Sequence, residues 1–393
     1  MVRVKLPRSR TAGRLARASA DVWKVHTDAL KRQRNGEDII LLSVGDPDFA
    51  TPAFITQHVV DSLDAHRTHY SPAAGEPALR QAIAAIESRE TGKNYTADQF
   101  VIFPGATAAL FCVVSCIANA GDEIVVADPM YLGYQGTFDA TGVKPRTAAL
   151  TRPAFDLDVA KVKAAITPKT CAILVNTPGN PCGNIVPPAV LVELNGICRD
   201  AGIWLICDEV YSLIYFDEPH VSILKCVDDL SNAVVIDSLS KSHAMSGWRI
   251  GWAGAPPDLA ADIARFSGAA FFGCPQFVQD AAAYALTHDE PQVLGMRDTY
   301  RQRRDRVVER IRTINGLNCV CPKAGMFVMM DVGAVADDGD AFARKLLDEQ
   351  GVSTIPGSGF GATTRDYVRI SLTVEIPELE RAFDRIERAT LSR

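Results

Sequence analysis

Between residues 100 and 255 the chain alternates short apolar runs with longer segments able to turn back over them, and few folds accept that rhythm. The runs at 100–103, 123–127, 144–148, 171–176, 203–207, 233–237 and 250–255 read as strands, with helices or loops crossing over between most of them. Crossovers of this kind join parallel strands, and a parallel sheet is buried on both faces. The expected architecture is α/β: a mainly parallel seven-stranded sheet between helices, with ligands gathered at the carboxyl ends of its strands.

After Pro257 the pattern turns helical, with a charge-laced segment over 292–314, and then shifts to a helix over 340–350, strands near 352–355 and 367–372, and a last helix from Pro377. This reads as a smaller α+β unit, to which the N-terminal segment returns. The chain's 393 residues exceed what one core serves, so two domains are expected, a large one over 46–290 and a small one made of 1–45 plus 291–393.

A net charge of −6 and a pI near 5.7 give no electrostatic reason for a nucleic-acid or anionic-membrane partner; small molecules fit better. The ten cysteines lie in apolar runs such as Phe111-Cys-Val-Val-Ser-Cys116, without C-x-x-C pairs. They read as reduced thiols of a cytoplasmic protein, and no metal site is expected. The uncharged run 100–121 is long enough to raise a membrane span, but Pro104-Gly105 breaks it into a strand and a buried helix. Six basic residues precede Asp21 without an apolar segment, which suggests a solvated arm lying across a partner subunit.

The chemistry concentrates in Ser238-Leu-Ser-Lys241-Ser-His-Ala-Met-Ser-Gly-Trp-Arg249. Lys241 follows a strand, is placed in a tight turn, has no acid close in sequence, and meets a second cation eight positions on. Desolvation and a neighbouring cation lower a lysine's pKa and free the lone pair that attacks a carbonyl; a buried structural lysine or an anion clamp is the plainer alternative. Gly105-Ala106-Thr107 joins a strand to a helix and offers backbone N–H groups to a phosphate. Asp208-Glu-Val-Tyr211 puts an acid at a strand end and a phenol three residues on. Asn176-Thr-Pro-Gly-Asn-Pro-Cys-Gly183 is a stiff loop presenting two amides. Singly, each has an ordinary reading as a helix cap, a surface turn or a core tyrosine. Together, at one edge of one sheet, they are what pyridoxal phosphate requires: an amine for the aldehyde, a carboxylate for the pyridine nitrogen, and a helix start and a guanidinium for the phosphate.

With Asn176-x-Pro-x-Asn-Pro-x-Gly183, Asp208-x-x-Tyr211, Ser238-x-Ser-Lys241 and Arg249 in this order, the chain resembles the class I/II aminotransferases, fold-type I pyridoxal-phosphate enzymes, over almost its whole length. The resemblance implies that Lys241 forms the aldimine with the cofactor and, once displaced by substrate, moves the proton between Cα and the cofactor's C4′. It implies that Asp208 pairs with the pyridine nitrogen, that Asn180 and Tyr211 bond the phenolic oxygen, and that Tyr131 stacks on the ring. Gly105, Ala106, Thr107, Ser238, Ser240 and Arg249 would hold the phosphate, joined by Tyr70 from the second subunit of a homodimer. Arg369, in Tyr367-Val-Arg-Ile-Ser371, would fork the substrate's α-carboxylate, helped by Asn180 and the Gly45 N–H.

The activity so implied is amino-group transfer in two halves, from an L-amino acid to the cofactor and then to a 2-oxo acid. Aspartate-specific members often carry a lysine where this chain has Thr107. The runs 41–49 and 238–252 are similar to arginine–pyruvate aminotransferases, which suggests arginine or another non-acidic donor and pyruvate as acceptor. A lyase or an amino acid oxidase of the same fold would keep every one of these residues. A non-catalytic pyridoxal-phosphate-binding regulator would need a DNA-binding module, and no basic module precedes Gly45.

Overall fold

The computed structural model describes residues 8–18, 23–288 and 291–391. Its centre is a sheet of seven strands: Phe100–Phe103 (β1), Glu123–Asp128 (β2), Lys144–Ala149 (β3), Thr170–Asn176 (β4), Trp204–Asp208 (β5), Ala233–Ser238 (β6) and Gly251–Gly254 (β7). Their order is β1-β7-β6-β5-β4-β2-β3, and all pairs are parallel except the two that β7 makes. The expected strands are all present, each within a residue at either end.

Alternate side chains enter two cores. Ile102, Val125, Ile173, Leu205 and Val235 pack one face, while Val101, Phe103, Ile124, Leu174, Ile206 and Val234 pack the other. The helix Ala106–Ile117 covers the second face. Its residues with strand β1 make up the uncharged run that raised a membrane span, and no helix among the described residues is long and apolar enough to cross one.

A second assembly gathers round the helices Pro291–Thr313, Gly339–Gln350 and Ile376–Leu391. It contains a four-stranded antiparallel sheet, ordered Ile355–Pro356, Tyr367–Ser371, Phe327–Asp331, Asn318–Cys319. In the apolar run 39–44 only Ile40–Leu41 forms a strand, which pairs in parallel with Val352–Ser353. The next residues spend their polar groups on side chains instead: Ser43 Oγ meets His26 Nδ1 at 2.8 Å, and Ser43 O accepts from Arg369.

Of the basic N-terminal arm, residues 1–7 and 19–22 lie outside the described residues. Its described part forms the helix Arg10–Ala18, mostly exposed, which packs one side on the helix Gly133–Thr141 of the same chain. Arg14 donates from Nε to Asp139 O (2.6 Å) and from Nη2 to Ala140 O (3.3 Å). These carbonyls end a helix, where a cation is held by both hydrogen bonding and the helix dipole.

Candidate active site

The carboxyl ends of the parallel strands open on a cavity of about 390 Å³, which the strand Tyr367–Ser371 and Phe327 close from the other side. Twelve of the fourteen residues singled out from the sequence line it. The exceptions are Gly105, which sits behind Arg249, and Tyr70, which is 82% exposed and stacks edge-on with Phe272 at 4.8 Å.

Ser238 ends β6 and its hydroxyl accepts the Ser240 N–H at 3.4 Å, capping the one-turn helix Leu239–Ser242. Lys241 therefore stands on a helical turn, not in the tight turn the sequence suggested, because the serine cap starts a helix there. Its Nζ donates to Gly45 O at 2.7 Å. Burial lowers its pKa to about 8, Asp46 works against that shift, and Arg369 and Arg249 add to it. The loop bearing Gly45 is held firmly, since Arg303 grips both oxygens of Asp48 at 2.7 and 2.8 Å, and Trp248 Nε1 donates to Thr51 Oγ1 at 2.9 Å.

Asp208 ends β5. Its Oδ2 accepts from Tyr134 Oη at 2.5 Å and its Oδ1 from the Val210 N–H at 3.3 Å. Burial raises the carboxyl to about 6 while these two bonds hold it down, so an ionised carboxylate is prepared that lacks a cation. The Asn176–Gly183 loop is tied to this strand end: Asn176 Nδ2 donates to Asp208 O (3.0 Å) and Asn176 Oδ1 accepts the Asn180 N–H (2.7 Å). That places Asn180 Nδ2 3.4 Å from Tyr211 Oη.

At the other end, Val368 and Ile370 enter the core, so Arg369 between them faces the cavity. Its Nη1 donates to Asn180 Oδ1 and its Nη2 to Ser43 O, both at 2.9 Å. The guanidinium lies over Phe327, 3.8 Å from the ring centre, and burial lowers its pKa to about 10. Its Nε is buried without a hydrogen-bond partner.

Between these ends the helix Ala106–Ile117 starts with N–H groups that have no intrahelical acceptor. Gly105 has φ +91°, and a Cβ there would come within 2.2 Å of Arg249 Nη2, so glycine lets the guanidinium reach the helix start. Arg249 itself donates to Ser246 O at 2.7 Å and Pro104 O at 3.1 Å. The donor set fits a phosphorylated pyridine aldehyde: a deprotonatable amine, a buried carboxylate without a cation, and an anion cradle of backbone and guanidinium.

Among the cavity residues not singled out from the sequence are Tyr134, Asp46, Trp23 and Phe327. Tyr134 had a signal, since it lies three residues after Tyr131, a helical neighbour's spacing, and the two rings meet edge-on at 5.3 Å.

A lysine and a carboxylate at neighbouring strand ends, facing a helix-start anion cradle on this sheet, define a fold-type I pyridoxal-phosphate enzyme. Residues 37–386 match the sequence profile of the family described as Aminotransferase class I and II, and the chain belongs to that family. It is 41% identical over 374 residues to an arginine–pyruvate transaminase of Pseudomonas aeruginosa, covering 95% of each chain. It is 33% identical over 361 residues to an aspartate aminotransferase of Geobacillus stearothermophilus, covering 90% of this chain and 91% of the relative. Among solved structures, the Thermus thermophilus aspartate aminotransferase with maleate superposes with a TM-score of 0.92 at 30% identity, over 98% of this chain and all of that one. The protein is thus a pyridoxal-phosphate-dependent aminotransferase whose substrates are an amino acid and a 2-oxo acid.

Proposed function

We propose that the amino donor is a non-acidic L-amino acid, arginine foremost, and the acceptor pyruvate. The similarity to the arginine–pyruvate transaminase supports this reading. So does the cavity lining, where Thr107 adds no cation for a distal carboxylate and Trp23 adds an aromatic ring, a group that attracts cations. The test is a panel of amino acids against pyruvate and 2-oxoglutarate, followed by product. Arginine with pyruvate should lead in kcat/KM, and preference for aspartate with 2-oxoglutarate would reject it. Ammonia release without an oxo acid would point instead to a lyase or oxidase outcome.

Bound pyridoxal phosphate supplies a carbonyl that takes the amino group and a ring that takes up the electron pair freed at Cα. In this reading Lys241 carries the proton between Cα and C4′, near its own pKa of about 8. Asp208 keeps the pyridine nitrogen protonated. Asn180 and Tyr211 hold the phenolic oxygen, and Tyr131 covers the ring. Gly105, Ala106, Thr107, Ser238, Ser240 and Arg249 hold the phosphate. Arg369, with Asn180 and Gly45, fixes the α-carboxylate, and the observation that carries this role is the unpartnered, buried Arg369 Nε. We further read residues 46–290 as the large domain and 1–45 plus 291–393 as the small one, in keeping with the pairing of Ile40–Leu41 with Val352–Ser353.

Tyr134→Phe removes the shorter of the two bonds that restrain the Asp208 carboxyl. Its pKa then rises further, less of it is ionised at neutral pH, and kcat/KM falls roughly tenfold. Asp208 loses its charge as pH falls, so the acid limb of the kcat/KM profile should move to higher pH. An unmoved limb would leave Tyr134 no role beyond packing.

The reading includes a homodimer in which Tyr70 reaches the partner's phosphate, supported by the exposure of Tyr70 and of Phe272, which is 65% exposed. Tyr70→Phe should weaken cofactor affinity about tenfold, the scale of one hydrogen bond to a charged group, without changing the sedimentation coefficient. A cytoplasmic location is in keeping with ten cysteines that are all free.

A further inference from the structure

The same strand ends that build the cofactor pocket build a second cavity on the other side of the sheet. Asp208 lines the first; its neighbour Glu209, turned the opposite way, lines a larger space of about 710 Å³ together with Asp237, and Ser238 borders both. The helix Pro77–Thr91, which contributes Glu87, and His220 form part of its wall, and Leu294 and Arg297 of the helix Pro291–Thr313 stand at another side.

Three carboxyls therefore converge without a cation among them. Among the described residues Glu87 forms no ion pair, and Asp237 accepts only from Ser212 Oγ (3.1 Å) and the Ser238 N–H (2.6 Å). Glu209 accepts the Ile223 N–H at 2.8 Å and faces His220 Nε2 at 3.4 Å. The His220 side chain is 2% exposed, and neither ring nitrogen has a hydrogen-bond partner. Of the other two imidazoles on this cavity, His243 is held neutral by burial at about 4, and His288 stacks on the Tyr284 ring at 3.8 Å. The cations at the rim are occupied or outside: Arg89 pairs with Glu90 at 3.0 Å, Arg297 lies over the Tyr215 ring at 4.5 Å, and Lys225 is exposed.

Buried carboxyls without compensation either hold protons or await a cation. Glu87 is pushed up to about 8, mainly by burial, which is the condition of a carboxyl lacking its partner. Among the described residues no group of three or more His, Cys, Asp or Glu is arranged to hold a metal ion, and the volume suits an organic ligand. We propose that this cavity is a second ligand site that takes an organic cation of the amine or guanidinium class, its N–H groups meeting Glu87, Glu209 and Asp237. A planar guanidinium with five donors suits carboxyls approaching from several elements.

The probe is n-butylguanidinium, which lacks the carboxylate that Arg369 would hold, titrated calorimetrically into the holoenzyme. One site per chain is expected. Glu87→Gln should lower affinity at least tenfold with amino-transfer kcat/KM within twofold of wild type. Leu294→Trp, at the cavity mouth where Leu294 is 55% exposed, should do the same by filling space. Absence of saturable heat, binding unaltered in both variants, or equal binding of neutral n-butylurea would each overturn the proposal, the last two by placing the probe elsewhere or making its charge irrelevant.

Discussion

Lys241→Ala is expected to abolish amino transfer, lowering kcat/KM roughly 10⁵-fold, about 7 kcal/mol of barrier. The size follows from two tasks falling on one atom. Among the described residues Nζ is the only amine lining the cavity, so in the proposed mechanism both capture of the cofactor aldehyde and movement of the Cα proton would depend on it. Borohydride treatment of the holoenzyme should fix cofactor to the wild-type chain and leave the mass of the variant unchanged. Lys241→Arg separates charge from chemistry: a guanidinium keeps the positive charge but cannot lose its proton, so it should fail as completely. Retention of even one hundredth of wild-type turnover by Lys241→Ala would remove this lysine from the mechanism.

The same atom predicts a pH dependence whose sign is fixed by the direction of its shift. Burial lowers the lysine to about 8, so the free amine dominates above that pH and the ammonium below it. Only the free amine attacks, so capture of added pyridoxal phosphate by the apoprotein should quicken as pH rises from 7 and level off above about 8. A lysine at its ordinary value would still be accelerating at pH 10.

What the sequence made legible, and what it hid, divide along one physical line. Strand β5 was readable because Leu205-Ile-Cys207 is buried on both faces, and burial writes itself as an apolar run. The motif residues were readable because each sits within a few positions of a strand end or a glycine that betrays it. Tyr134, Asp46 and Trp23 were not, because they join the site through tertiary approach: Tyr134 meets Asp208 across 74 positions. Asp46 was hidden in the same way: no acid stands near Lys241 in sequence, yet Asp46 opposes the lowering of its pKa. The helical turn under Lys241 was hidden for a smaller reason. Ser238 can end a strand or cap a helix, and here it does both.

Arg369 offers the sharper test of how function was set against stability. Its guanidinium is buried at 3% exposure, yet its hydrogen bonds go to an amide oxygen and a backbone carbonyl, and neither carries a countercharge. Burial has lowered its pKa from the ordinary guanidinium value to about 10, and since the folded value is the lower one, the penalty for charging it is fully present at pH 7. That penalty is about 3 kcal/mol, which the substrate carboxylate would relieve at the vacant Nε. Arg369→Met keeps the apolar volume between Phe327 and Phe360 while deleting the charge. Against the gain stand two acceptors left without a donor, each costing about 1 kcal/mol. The balance predicts a melting temperature equal to or above that of wild type, while kcat/KM for the amino acid falls about 10³-fold, as for truncating one partner of a buried charge pair. Thermal melts of the two proteins, beside their kinetics, decide the matter: a fall in Tm of more than about 4 °C would make Arg369 a structural cation of the small sheet rather than a carboxylate receptor held at a cost to the fold.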